Sequence, residues 1–417
     1  MPLPSIALGV QKAIGGNRPY PQTLFSAVVI PILALSTPPF SIQLFTSMTK
    51  FPSSTIRRIA SLFLALLAAQ TLSVIAVAST TISPDHKLLQ YTGRIDFTSP
   101  SAPQISWPGT SLTANFTGDS LAFVLNDENG KNFFNVFIDG DLAHPVILSC
   151  TKGESTYVVT DKLSAGQHNF LFTKRTEGGE GATTIKGVLL ADGAKLLTPP
   201  KRPKHRIEFF GDSITSGMGN ESPDDGVDNR EKDKNNFMSY DAITARDLQA
   251  ELHVTSQSGI GIFVSWFDFI MPQFYDQLSA VGNNDTHWDF SQWTPDVVVI
   301  NLFQNDKWLI DREKRLVPSP TEEQRIQGYI DFVKTIRSKY PKAYFICALG
   351  SMDATQAGSL WPGYITAAVA KIKQENPKEK IDTLFFEFTG FYGHPRVKQH
   401  QANAAKLTAL IKAKMGW

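Results

Sequence analysis

Hydrophobic positions along this chain change period once, near residue 200. From about Leu88 to Leu197 they alternate with polar ones in short runs, at 112–116, 121–125, 133–138 and 168–172. Thr117-Gly-Asp119, Asp139-Gly-Asp141 and Ser164-Ala-Gly166 separate the runs with turn-forming residues. Period-two runs punctuated this way predict antiparallel strands, and strands at this spacing predict an all-β sandwich or jelly roll over residues 79–197. No helical period fits anywhere within it. Thr198-Pro-Pro-Lys-Arg-Pro-Lys204 then reads as a stiff linker.

Past residue 204, strands alternate with helices. Residues 207–210 form a short apolar strand, and 296–302 a continuous apolar run of the kind buried on both faces of a parallel sheet. Between them, Phe237, Tyr240, Ile243, Leu248 and Leu252 make a stripe that predicts a helix over 237–252. Thr321-Glu-Glu-Gln324 is a capping box, opening a helix with Ile326, Tyr329, Ile330, Val333 and Ile336 along one side. Strands at 343–349 and 383–386, a helix at 364–375 and a last helix starting at Pro395 complete the pattern. Alternation of this kind predicts an α/β fold, a three-layer α/β/α domain over 205–417 with right-handed crossovers.

The first 78 residues belong to neither pattern. Lys50, Arg57 and Arg58 precede an apolar run, and Ala76-Val-Ala78 has the small-x-small form of a cleavage site. A signal peptide over 48–78 is expected, with the native start at Met48 and 1–47 an uncertain leader. Gln70, Thr71 and Ser73 interrupt the run, which argues against a signal anchor. A secreted protein follows, without stable membrane association after cleavage. Sequons at Asn115, Asn220 and Asn284 fit a glycoprotein. The net charge of +1 over 417 residues leaves no electrostatic footprint for nucleic acid. Cys150 and Cys347 alone build neither a disulfide framework nor a zinc site, and buried free thiols are expected. A monomer is expected.

The chemistry concentrates at strand ends. Gly211-Asp-Ser213 follows the strand at 207–210, where open α/β sheets place their sites. Ser213 reads either as a nucleophile on a tight strand-to-helix turn or as a helix cap. Its partners decide. Gly259, in Gln257-Ser-Gly-Ile-Gly261, offers a backbone N–H with no side chain in the way. Asn305, past the central strand, offers a neutral amide donor to an oxyanion. His394, in Gly393-His-Pro395, supplies a general base. Asp306 is expected to fix the Asn305 loop. Among the dense aromatics between 263 and 308, Trp308 is the expected platform for a substrate ring.

Ser213, Gly259, Asn305 and His394, in that order on successive strand ends, resemble the SGNH (GDSL-type) hydrolase superfamily, whose flavodoxin-like domain would span about Lys204 to the end. With a β-sandwich ahead of it, the chain resembles carbohydrate esterase family two. Arg94-Ile-Asp-Phe97, Trp107-Pro-Gly109, Asn135-Val-Phe-Ile-Asp-Gly140, Lys174-Arg-Thr176, Arg206-Ile-Glu-Phe209 and Trp288-Asp-Phe-Ser-Gln-Trp293 add to the likeness. The resemblance implies deacetylation of acetylated plant polysaccharides, xylan and mannan among them, with no cofactor and no metal. It makes Ser213 the nucleophile and His394 the base, with the N–H groups of Ser213 and Gly259 and the Asn305 amide as oxyanion hole.

Two departures stand out. The superfamily's Asp two or three residues before the histidine is Tyr392 or Phe391 here, so a backbone carbonyl is expected to hold the His394 ring, with Glu387 as runner-up. The family's Gly-Thr before Asn-Asp reads Phe303-Gln304, which would narrow the pocket or tilt Asn305. A short-chain ester or lipid hydrolase and a polysaccharide-binding protein that has lost catalysis are the alternatives.

Overall fold

Residues 79–197 build two six-stranded sheets whose strand pairings are antiparallel. Alternation along Ser111–Thr117 turns Leu112, Ala114 and Phe116 inward. Phe170 and Phe172, on the neighbouring strand Gln167–Lys174, face Phe123 of the other sheet, with ring centroids 5.3 and 4.7 Å apart. This interdigitation is the core of the antiparallel part. The computed structural model describes residues 79–224 and 226–417, so the leader and signal-peptide expectations lie outside the described residues.

The second part is a five-stranded parallel sheet: β1 (His205–Gly211), β2 (Ala250–Ser256), β3 (Val297–Asn301), β4 (Tyr344–Leu349) and β5 (Ile381–Phe385). The order is β2-β1-β3-β4-β5. Val298 and Ile300 pack on one face beneath α3 (Glu322–Lys339) and α4 (Trp361–Glu375). Val297 and Val299 pack on the other, beneath α2 (Tyr240–Asp247) and α5 (Val397–Met415). A single turn, α1 (Ser213–Ser216), follows β1. Chain order reverses between β1 and β3, and at such a point the loops leaving the carboxyl ends part to form a crevice.

The stripe at 237–252 is not one helix. α2 stops at Asp247, Gln249 takes φ +49°, and Ala250 opens β2, so Leu252 is a strand residue. The last helix starts at Val397 with Arg396 as its cap residue, just past Pro395. Cys150 and Cys347 are buried and unpaired. Asn220 is 1% exposed and its Nδ2 donates to Asn235 O at 2.8 Å, which closes that sequon to a glycan in the folded chain.

The described residues lie in one compact unit. Arg94 of the antiparallel part reaches Glu208 in β1 at 2.8 Å, both fully buried, and donates to Tyr275 O and Gln277 O. Trp107 Nε1 donates to Leu278 O at 2.7 Å. A buried pair of this kind is satisfied only while both parts stay docked.

Candidate active site

β1 ends at Gly211 and the chain turns at once into α1. A Cβ at Gly211 would lie 2.0 Å from Thr215 Oγ1, so glycine is what lets the turn fold back this closely. Asp212 caps the turn by accepting the Ile214 N–H at 3.0 Å. Ser213, the residue after the cap, thus emerges at the sheet edge with its N–H in the unbonded first turn of a helix.

His394 comes from the loop between β5 and α5. Its Nε2 lies 2.8 Å from Ser213 Oγ. Its Nδ1 lies 2.8 Å from Asp228 Oδ2, and its backbone N–H donates to the same oxygen at 2.8 Å. A carboxylate only accepts, so the proton sits on Nδ1 and Nε2 is left to accept from the serine hydroxyl. Arg396 approaches Asp228 Oδ2 at 3.9 Å and donates to His394 O. Burial works against the charge on Asp228, but the His394 hydrogen bonds and the positive charge around it, Arg396 included, outweigh it and hold its carboxyl well below the usual range.

Asp228 corrects the sequence reading. Among the described residues no backbone carbonyl holds the imidazole, and Glu387 is 86% exposed and paired with Lys406 at 2.7 Å. The carboxylate comes instead from a loop 166 residues earlier in the chain. Sequence reasoning had little signal to find it, because Asp228 lies in a polar loop beside Asp224 and Asp225 with no pattern to single it out.

Gly259 sits on the loop after β2 with φ +87°, beside Ile260, and a Cβ there would meet Trp266 at 3.1 Å. Asn305 Nδ2 donates to Ile260 O at 3.0 Å and, weakly, to Asp212 Oδ2 at 3.4 Å. One amide hydrogen is therefore firmly held and the other loosely. Asp212 is pushed up to about 7 by burial, against the Ile214 hydrogen bond. Asp306 is pushed up to about 6 by burial, against the N–H groups of Ile262, Phe263 and Val264. Those three bonds tie the Asn305 loop to the Gly259 loop, as expected of Asp306.

Phe303 and Gln304 do not narrow the site. Phe303 takes φ +97°, where a glycine would be at ease, and its side chain is buried against Tyr329 and Trp361 at 4.9 and 5.0 Å. Gln304 turns away to Asp353 and Ala354. Backbone strain of order 1–3 kcal/mol at Phe303 is offset by that burial.

Trp308, expected at the cleft, is half-buried. It packs on the core under α2 and α5, with Arg312 over its ring at 4.9 Å. Trp266, 38% exposed, borders Gly259 along with Phe267, and Tyr392, 75% exposed, stands two residues before His394. Three cavities of about 280, 250 and 610 Å³ lie elsewhere, and none is lined by Ser213, Asn305 or His394. The site is recognised by its side-chain geometry.

Comparison with known proteins gives consistent results. A family model described as "Carbohydrate esterase 2 N-terminal" matches residues 91–200. Cellulase/esterase CelE of Acetivibrio thermocellus is 33% identical over 349 residues, 81% of this chain; the match covers 41% of that longer protein's length. An acetylxylan esterase / glucomannan deacetylase of Cellvibrio japonicus is 28% identical over 338 residues, 78% of this chain and 90% of the relative. Among solved structures, a family two carbohydrate esterase from Clostridium thermocellum in complex with cellohexaose matches with TM-score 0.71 at 31% identity. It covers 79% of this chain and 99% of that one.

Proposed function

The chain belongs to carbohydrate esterase family two, and from that premise we propose that it is a secreted O-acetyl esterase acting on plant cell-wall polysaccharide such as acetylated xylan or glucomannan. The observation that carries the reading is His394 lying between Ser213 Oγ and Asp228 at 2.8 Å on each side. Ser213 Oγ attacks the acetyl carbonyl while His394 Nε2 takes its proton and Asp228 stabilises the imidazolium. Charge develops on the carbonyl oxygen, met by the N–H groups of Ser213 and Gly259 and the loosely held hydrogen of Asn305 Nδ2. The C–O bond to the sugar breaks, and His394 returns the proton to the departing sugar oxygen. Water then attacks the acetyl-serine, giving its proton to His394, and acetate leaves as Ser213 regains its hydrogen.

Asp228 favours this reading over a binding-only protein, since it fills the role that the missing Asp before His394 had left open. In addition to Trp308, we assign the exposed rings of Trp266 and Tyr392 to the substrate rim. The proposal extends to a jelly-roll type for the antiparallel part, a boundary at 198–204, a cleaved signal peptide over 48–78 and a monomeric secreted product. Acetate release from acetylated xylan and glucomannan side by side, with Ser213→Ala as control, is the test. A preference for long acyl chains over acetate would favour a lipase instead, and binding to insoluble glycan without acetate release a lectin-like protein.

A further inference from the structure

One short segment of the antiparallel part, residues 174–180, reaches both the Gly259 loop and the loop that carries Asp228. Glu177, 1% exposed, accepts the Ser258 N–H on Oε2 at 2.6 Å and the Lys234 ammonium on Oε1 at 3.1 Å. Ser258 directly precedes Gly259. Ile260 N donates to Gln257 O at 3.2 Å and Gly259 holds φ +87°, so 257–260 is a type II turn. Its central peptide, between Ser258 and Gly259, is the one whose rotation interconverts types I and II. That rotation would reverse the Gly259 N–H, which the esterase reading aims at the oxyanion.

Two bonds flank this peptide. Glu177 holds the N–H before it, and Trp266 N donates to Gly259 O after it at 3.0 Å. The segment has little room to shift, because a Cβ at Gly178 would fall 2.0 Å from Ala280 O. Lys234 pairs with Glu180 as well, at 2.5 Å, so the cation stays anchored beside Glu177. Burial disfavours the Glu177 charge, but Lys234 and the Ser258 hydrogen bond prevail and keep it ionised. Next to it, Arg175 donates to Lys232 O at 3.0 Å and Lys234 O at 3.2 Å, and it pairs with Glu221. The same segment therefore also grips both ends of the loop that carries Asp228.

We propose that Glu177 is a positioning residue for the oxyanion hole, setting the direction of the Gly259 N–H, so that the antiparallel part completes the catalytic centre. This rests on the esterase reading. Losing an oxyanion donor outright costs on the order of 10²–10³ in kcat, which sets the ceiling for misplacing one.

The test measures kcat, KM and the pH–rate profile for acetate release by the full chain carrying Glu177→Gln, which keeps the volume, and Glu177→Ala. Affinity for a simple alkylboronic acid, which mimics the tetrahedral adduct on Ser213, is measured alongside. The expected result is a kcat loss of roughly 10- to 100-fold, matched by the boronate. KM and the acid midpoint of the profile should stay in place, because Ser213, His394 and Asp228 are untouched. Turnover within threefold of the parent overturns the proposal. So does a loss shared by KM, the acid midpoint and melting temperature, which marks general disruption. If Ser213→Ala turns over like the parent, the esterase reading itself fails; if that control is dead and the Glu177 variants are normal, only the positioning role does.

Discussion

Replacing Asp228 by Asn separates the site described here from the one expected from sequence. Asp228 Oδ2 accepts both the ring Nδ1–H and the backbone N–H of His394, each at 2.8 Å. In the amide, either the oxygen keeps these bonds without the charge, or the NH₂ faces Nδ1 and forces the wrong tautomer. At 2.8 Å and an effective dielectric near 20, an imidazolium–carboxylate pair is worth about 6 kcal/mol. A quarter of the Asp228 side chain is exposed, so water screens part of this. Loss of the orienting carboxylate in the well-studied serine triad costs about 10⁴ in turnover, roughly 5.5 kcal/mol. Asp228→Asn should therefore lower kcat by about 10³–10⁴, with little change in KM. Glu387→Gln should leave kcat unchanged, because Glu387 meets only Lys406. Steady-state acetate release from one soluble acetylated oligosaccharide reads both. An Asp228→Asn enzyme within tenfold of the parent would refute the reasoning, and a crippled Glu387→Gln enzyme would restore the alternative.

Asn305→Ala removes one donor to the oxyanion and should cost about 10²–10³ in kcat; a loss below threefold would remove Asn305 from the hole. Because the Asp228 carboxyl titrates well below its unfolded value near 4, its contribution to stability is present above that value and is lost as pH falls through the folded one. The gap in unfolding free energy between the parent and Asp228→Asn should accordingly narrow from about pH 5 downward, and a gap constant to pH 2.5 in denaturant titrations would count against the ion pair. Arg94→Ala strands Glu208 without its partner and should destabilise the chain by about 3–5 kcal/mol. Arg94→Met with Glu208→Gln should recover much of this, and equal losses in both variants would show that packing, not the buried charge, sets the cost.

What could be read from sequence followed from local rules. The run at 296–302 announced a strand buried on both faces, and Thr321 and Gln324 form the reciprocal cap at the start of α3. Ser213, Gly259, Asn305 and His394 were legible because each sits at a strand end, and a parallel sheet gathers strand ends on one edge. β2 was missed because its buried positions include Glu251, His253 and Thr255, which are satisfied by Arg202 of the linker, by the Gly93 N–H across the docking surface and by Glu208 of the neighbouring β1. Polar residues there look like a solvated helix face until that surface is known. Asp228 was missed for a related reason, since its partner lies 166 residues away and its loop carries no period. Arg94, Trp107, Arg175 and Glu208, quoted above only as family-like phrases, turn out to line the contact between the two parts.

The central claim is that Ser213, His394 and Asp228 act as one unit on an acetyl ester. Acetate released from acetylated xylan by the parent chain and by Ser213→Ala, at equal concentration and melting temperature, tests it most directly. The account predicts sustained release by the parent and a fall of at least about 10⁴ in the variant. Release by Ser213→Ala at a rate near the parent's would contradict it.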